Sequence, residues 1–433
     1  MSGVFGQRIR VYREAINFYN QSSKIFKSQV SAVQLSCRSY ARGSRGNKEP
    51  PADGGGDTDL NTKEVQNLLK HSTVGYPQDF LGPDHTWQTN PYKEDPSLER
   101  RLKERNQAGH AFRPKVNPSD TSILIFPGQG VQYVGMCKEL LKFRLVQDLF
   151  EAASSILNYD LLKLCLEGPK DKLDETKYCQ PAVVVSSLAA VEWLKEERPS
   201  AIEGCVATAG FSIGEITALI FAGAISFESA IKLVRARAEG MQYASEMVNS
   251  GMATVIYGPD SQLGVACNKA VEHCLERRIE RPVCQVANYL YPHCKVVAGN
   301  VEALDFLAKN ASKFNLRKVR RLPVSGAFHT PLMEPALEPF KAALRKVQVQ
   351  DPLVYVHSNV DGKYYSNAKQ IRKLLPLQIV KPVKWEQTLH VLFERPEGES
   401  FPRTFECGPG KSLRAILKQV NSKAYDTSFS YSS

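Results

Sequence analysis

The sequence is short of the residues that make metal and redox centres easy to recognise: it has no Cys-x-x-Cys pair, and only eight histidines in 433 residues. Its ten cysteines (37, 137, 165, 179, 205, 267, 274, 284, 294 and 407) are scattered, which excludes zinc-ribbon and thioredoxin-type spacing and leaves them as small core residues. Long hydrophobic runs are missing as well. A membrane span needs roughly 18 consecutive apolar residues, and the nearest approach, Ala218 to Ile225, has helix-core composition. What remains is a chain with 42% hydrophobic and 23% charged residues, enough for two or three ordinary domains with sizeable cores.

Acidic residues are nearly absent from residues 1–45, where eight Lys or Arg face the single Glu14. Seven of the eleven net positive charges therefore sit there and four on the rest, which removes the nucleic-acid reading that the total suggests. The segment interleaves Arg8, Arg10, Arg13, Lys24, Lys27, Arg38 and Arg42 with Val4, Phe5, Ile9, Val11, Ile16, Phe18 and Ile25, the composition of an organellar targeting peptide. Arg38-Ser-Tyr-Ala41 resembles a matrix-protease cleavage context. A disordered basic tail is the alternative. The expectation is a mitochondrial targeting peptide over 1–45 and a location in the mitochondrial matrix.

Residues 46–118 carry Pro-Pro-Ala-Asp-Gly-Gly-Gly-Asp and few apolar residues, so they read as linker-like and partly disordered, with helical stretches near Thr62 to Lys70 and Pro96 to Gln107. Packing is expected to begin at Ser122 to Phe126, a β-rich run that ends in Pro127-Gly-Gln-Gly130 before a helical pattern. Helix at Gln180 to Lys195, strand at Gly204 to Ala209, turn at Gly210 to Gly214 and helix at Glu215 to Ala222 repeat the alternation, which points to a mainly parallel sheet covered on both faces. Residues 251–322 break this rhythm with a β-α-β-β-α-β order, the pattern of a ferredoxin-like unit. The predicted architecture is therefore α/β: a catalytic domain over 119–250 and 323–421, a small domain over 251–322 set into it, and a tail over 422–433.

Two local patterns suggest chemistry. Gly210-Phe-Ser-Ile-Gly-Glu215 is a G-x-S-x-G sequence between an expected strand and an expected helix, the context of a nucleophile elbow. There Ser212 stands clear of the backbone, and the Ile213 amide at the helix start faces a developing oxyanion. A serine that merely caps the helix fits the same letters. Of the eight histidines, His71, His85 and His110 fall in the linker-like region. His329, in Ser325-Gly-Ala-Phe-His-Thr-Pro-Leu-Met333, lies between an expected strand and helix, where sheet-edge active sites collect. A buried helix-capping histidine is the bland alternative.

Together these motifs resemble the malonyl-CoA:acyl carrier protein transacylase family over Ile123 to Lys418. The resemblance rests on an ordered set: Phe126-Pro-Gly-Gln-Gly130 with Gly135-Met136, Gln180-Pro-Ala182, Gly210 to Glu215, Leu233 to Gln242, Val297-Ala-Gly299, Leu322 to Met333, Gln378 to Trp385 and Glu406-Cys-Gly-Pro-Gly-Lys411. It implies an α/β-hydrolase-like large domain with the ferredoxin-like unit inserted, Ser212 as nucleophile and His329 as general base. The histidine would be oriented by the main-chain carbonyl of Gln378, and the oxyanion held by the amides of Gln129 and Ile213. Arg237 would pair with the free carboxylate of the malonyl group, as guanidinium and carboxylate fit bidentately. Asn288 matches a supporting asparagine. Two positions depart from the pattern: Phe211 replaces a usual histidine, and Leu290 stands where a second asparagine often lies.

The implied reaction is a ping-pong transfer from malonyl-CoA to the phosphopantetheine thiol of an acyl carrier protein, supporting mitochondrial fatty acid synthesis. No metal and no cofactor is required beyond the coenzyme A thioester substrate, and a monomer is expected. The basic run Arg317 to Arg321 would steer an acidic carrier or, equally, protect an edge strand. A serine esterase or thioesterase and a non-catalytic carrier-binding protein stay open as competing readings.

Overall fold

The computed structural model describes residues 117–432 except 325, 394, 396 and 397. The expected targeting peptide, most of the linker-like segment and its two helical stretches lie outside the described residues. Chain order is β1 (Ser122–Phe126), α1 (Arg144–Leu157), α2 (Thr176–Glu197), β2 (Cys205–Gly210), α3 (Ile213–Phe221), α4 (Phe227–Met247), β3 (Ser250–Ile256), α5 (Leu263–Glu276), β4 (Cys284–Tyr291), β5 (Cys294–Asn300), α6 (Val301–Asn310) and β6 (Lys318–Arg321). The chain then passes a 3-10 turn at Pro331–Ala336 to α7 (Leu337–Arg345), β7 (Tyr355–His357), a second 3-10 turn at Leu375–Ile379, β8 (Val383–Lys384), α8 (Trp385–Phe393), β9 (Arg403–Cys407), α9 (Ser412–Val420), α10 (Ser422–Asp426) and β10 (Ser428–Tyr431). Shorter helical turns join these elements.

Five strands form one sheet in the order β10-β9-β1-β2-β7, every pair parallel. Parallel strands need both faces covered, and alternation along β1 supplies them. Leu124 and Phe126 enter the large core with Val183 and Leu188 of α2 and Ile216 of α3, while Ile123 and Ile125 enter a second cluster with Trp385, Leu389 and Leu413. The residues expected as a tail correct that expectation. Residues 422–431 form α10 and β10, the edge strand beside β9, because Phe429 stacks on Phe405 at 5.5 Å and Tyr431 is buried.

A second sheet has the order β6-β3-β5-β4-β8. Its first four strands pair antiparallel, and β8 adds in parallel to β4. One face, with Val255, Val297 and Cys284, packs with Leu263, Ala270 and Leu304 of α5 and α6. The other, with Met252, Val296 and Ala298, joins the large core. The chain thus leaves the first sheet after α4, crosses the second, and returns through His329. Because Val383–Lys384 pairs in this sheet, the sheet draws a strand from outside residues 251–322. All nine described cysteines are buried, and none is in a disulfide among the described residues.

Candidate active site

The turn between β2 and α3 is held by contacts that tolerate no side chain at its glycines. A Cβ on Gly210 would stand 1.9 Å from the Gly214 carbonyl group, and one on Gly214 would stand 2.3 Å from Phe126 O. Folded this tightly, the turn places Ser212 at φ 52°, ψ −110°, a region that costs a residue with a side chain on the order of 1–3 kcal/mol. Asn359, in the turn after β7, fixes the geometry. Its Oδ1 accepts from Ser212 N–H at 2.6 Å, and its Nδ2 donates to Gly210 O at 2.7 Å. Phe211 N–H donates to Phe126 O at 2.9 Å, which sets the Pro127 to Gly130 loop carrying Gln129 beside the turn carrying Ile213. Ile213 opens α3, and Gln129 Nε2 donates to Thr176 Oγ1 at 3.2 Å.

His329 reaches this turn from the segment that follows β6, also at positive φ (61°). Its Nε2 lies 2.9 Å from Ser212 Oγ, and its Nδ1 lies 2.6 Å from Gln378 O in the 3-10 turn before β8. A main-chain carbonyl can only accept, so Nδ1 carries the proton and Nε2 is the acceptor for the serine hydroxyl. Burial, with the Arg237 charge beside it, lowers the imidazole to about 3. The ring is therefore uncharged throughout the neutral range, with Nε2 placed to accept a proton.

Arg237 is fully buried in α4. One terminal nitrogen donates to Gln180 Oε1 at 2.7 Å; the other donates to Ser212 Oγ at 3.0 Å and to Gln378 Oε1 at 2.6 Å. Its Nε has no hydrogen-bond partner among the described residues. Burial lowers the guanidinium to about 10, against the pull of Glu215, and it remains a cation in the neutral range. Glu215, also fully buried, accepts from the Tyr365 hydroxyl, from Gln378 Nε2 at 2.7 Å and from Asn359 N–H at 3.3 Å. Burial raises its carboxyl to about 8 despite those donors.

Ser212, His329, Arg237 and Gln378 thus meet around one hydroxyl, from four separate parts of the chain. Asn288 is buried in β4 opposite Val296 and Val383, with its Oδ1 unpartnered among the described residues. Phe211 faces Trp385 edge to face at 5.6 Å, an apolar contact in place of a polar group. Gln180, Glu215, Asn359 and Tyr365 received no role from the sequence. Gln180 and Glu215 sit inside the quoted motifs and were within reach; Asn359 and Tyr365 follow a short strand in an ordinary turn and gave no signal. No group of three or more His, Cys, Asp or Glu among the described residues is placed to hold a metal, and none of the described helices is long and apolar enough to cross a membrane.

A hydroxyl on a strained strand-to-helix turn, a neutral buried imidazole within hydrogen-bond reach and a buried cation at the same oxygen define a class: α/β proteins equipped for acyl transfer through serine. Comparison with known proteins narrows it. The chain belongs to the acyl transferase domain family, whose model matches residues 123–397, and within it to the malonyl-CoA:acyl carrier protein transacylases of mitochondrial type. It is 59% identical over 317 residues to a Drosophila melanogaster protein named a probable mitochondrial malonyl-CoA-acyl carrier protein transacylase, spanning 73% of this chain and 84% of that one. A Homo sapiens protein named a mitochondrial malonyl-CoA-acyl carrier protein transacylase is 54% identical over 308 residues, 71% of this chain and 79% of its own. Among solved structures, the malonyl CoA-acyl carrier protein transacylase of Coxiella burnetii matches with a TM-score of 0.63 at 32% identity, covering 71% of this chain and 93% of that one.

Proposed function

We propose that the chain moves a malonyl group from malonyl-CoA to the phosphopantetheine thiol of an acyl carrier protein, in the mitochondrial matrix and in support of mitochondrial fatty acid synthesis. The observation that carries this reading is the convergence of His329 and Arg237 on Ser212 Oγ, at 2.9 and 3.0 Å. His329 takes the serine proton on Nε2 while its Nδ1–H stays on Gln378 O. The hydroxyl attacks the thioester, the amides of Gln129 and Ile213 receive the oxyanion, and the coenzyme A thiol leaves with the proton. The carrier thiol then attacks the serine ester by the reverse of these steps.

Arg237 supplies specificity. Burying an unpaired carboxylate costs several kcal/mol, and a guanidinium already in the pocket removes that cost for an acyl group with a free carboxylate. The paired carboxylate also offsets the positive charge that helps to depress His329, so the base strengthens when the cognate group is bound. Asn288 belongs to the pocket wall. The chemistry asks for no metal or cofactor.

The parallel sheet with its covering helices is read as an α/β-hydrolase-like domain and the mainly antiparallel sheet as an inserted ferredoxin-like domain, a reading supported by the antiparallel order β6-β3-β5-β4. Lys318 and Arg320 are exposed on edge strand β6 and offer an acidic carrier a complementary surface. A hydrolase reading is disfavoured because a main-chain carbonyl, not a carboxylate, holds His329 Nδ1. The test is transfer itself. Full-length protein, malonyl-CoA and holo acyl carrier protein should give a carrier heavier by one malonyl group, whereas free malonate with an unmodified carrier contradicts the proposal.

A further inference from the structure

Glu215 lies three residues beyond Ser212, in the first turn of α3. A first-turn acid ordinarily answers the dipole and free N–H groups of its own helix. Glu215 instead takes its three hydrogen bonds from Tyr365, Asn359 and Gln378, all of which arrive from the chain beyond β7.

The Gln378 bond is the one that reaches the chemistry. A carboxamide has an accepting end and a donating end, and only its neighbours decide which way round it sits. Here Arg237, which can only donate, holds Oε1 at 2.6 Å, and the Glu215 carboxyl holds Nε2 at 2.7 Å. Without that carboxyl, Nε2 keeps only the longer contact to Ser212 O at 3.3 Å. The amide is then able to turn, and Arg237 loses the acceptor that aims it at the hydroxyl. The main-chain carbonyl of Gln378, which holds His329, does not depend on that side chain.

We infer that Glu215 is a positioning residue for the acyl-carboxylate pocket: through the Gln378 carboxamide it aims Arg237, and so sets the preference for acyl groups with a free carboxylate while leaving the Ser212–His329 pair assembled. The inference rests on the role proposed for Arg237.

The test is the rate of Ser212 acylation by malonyl-CoA and by acetyl-CoA, followed by intact mass on full-length protein. Glu215→Gln keeps an oxygen for Gln378 Nε2 and should hold the malonyl-to-acetyl ratio within about threefold of wild type. Glu215→Ala should lower that ratio by about tenfold or more, the effect of losing the hydrogen bond from the Arg237 cation to Gln378 Oε1, through a higher KM for malonyl-CoA with acetylation little changed. Should Glu215→Ala not fold, Gln378→Met carries the test, because it removes the bridge and keeps the carbonyl that holds His329; the same loss of ratio is expected. An unchanged ratio in folded Glu215→Ala or in Gln378→Met overturns the inference, and so do equal losses in Glu215→Ala and Glu215→Gln. A wild-type chain that takes no malonyl group on Ser212 defeats the proposed function, and this inference with it.

Discussion

Two strand-to-helix turns of the parallel sheet carry a buried glutamate, and they use it differently. At the end of β9, Glu406 accepts from the N–H groups of Leu413 and Arg414 at 2.9 and 2.8 Å, closing the open end of α9 that follows it. In the turn after β2, the Glu215 carboxyl receives nothing from its own helix α3 and is held by three donors from elsewhere in the chain. Burial raises both carboxyls, to about 7 and about 8. The backbone strain is distributed differently as well. The β9 turn places its positive φ angles on Gly408 and Gly410, whereas the β2 turn places one on Ser212 itself. Residue type and burial are alike, so the origin of the donors and the residue bearing the strain separate a turn that stabilises from one that does chemistry.

Removing the hydroxyl tests that contrast most severely. Ser212→Ala should lower carrier malonylation by about 10⁴-fold or more, while Ser412→Ala, at the exposed first position of α9, should leave transfer unchanged; a matching loss at Ser412 would break the comparison. Arg237→Ala comes next. Its loss should cut kcat/KM for malonyl-CoA by about a hundredfold or more, since truncating one side of a buried charge pair costs on the order of 3–5 kcal/mol, with a smaller effect on acetyl-CoA. Parallel decreases for both donors would detach specificity from the β2 turn. Smaller again is Glu406→Ala, which should cost about 1–2 kcal/mol in thermal or denaturant unfolding, as loss of a helix cap does, with the malonyl-to-acetyl ratio unaltered.

A further expectation concerns pH dependence. Between the ordinary 4.5 and the raised value near 8, folded Glu215 keeps a proton that the unfolded chain has lost, so its contribution to stability falls as pH rises across that window. Glu215→Gln should remove this slope in pH-resolved melting curves. His329 has the opposite sense: its lowered value, about 3 against 6.5, means that stability is lost as pH falls below 6.5 and the unfolded chain takes up the proton. For the same reason, Ser212 acylation should show no inflection near 6.5; one found there would mean that His329 titrates as an ordinary exposed imidazole.

Much of this arrangement is legible in the sequence. G-x-S-x-G between a strand and a helix, and a histidine at the edge of a strand, are local signals, and Ser212 and His329 meet where those signals point. The parallel sheet followed from alternation at helical and strand periods. What stayed hidden depends on contacts between distant segments. Glu215 reads as a helix-start acid until Tyr365 and Gln378 are seen against it, more than a hundred residues away in sequence. The strand Ser428–Tyr431 was missed because its apolar residues are few and its pairing partner, β9, lies across two helices.

The central claim is that Ser212 carries the acyl group and that Arg237 selects it. It is tested most directly by intact mass and peptide mapping of full-length protein after brief exposure to malonyl-CoA, with acetyl-CoA and Ser212→Ala alongside. A malonyl adduct mapped to Ser212, absent from the variant and much weaker with acetyl-CoA, is the predicted result. An adduct on another residue, or equal labelling by both donors, would contradict it.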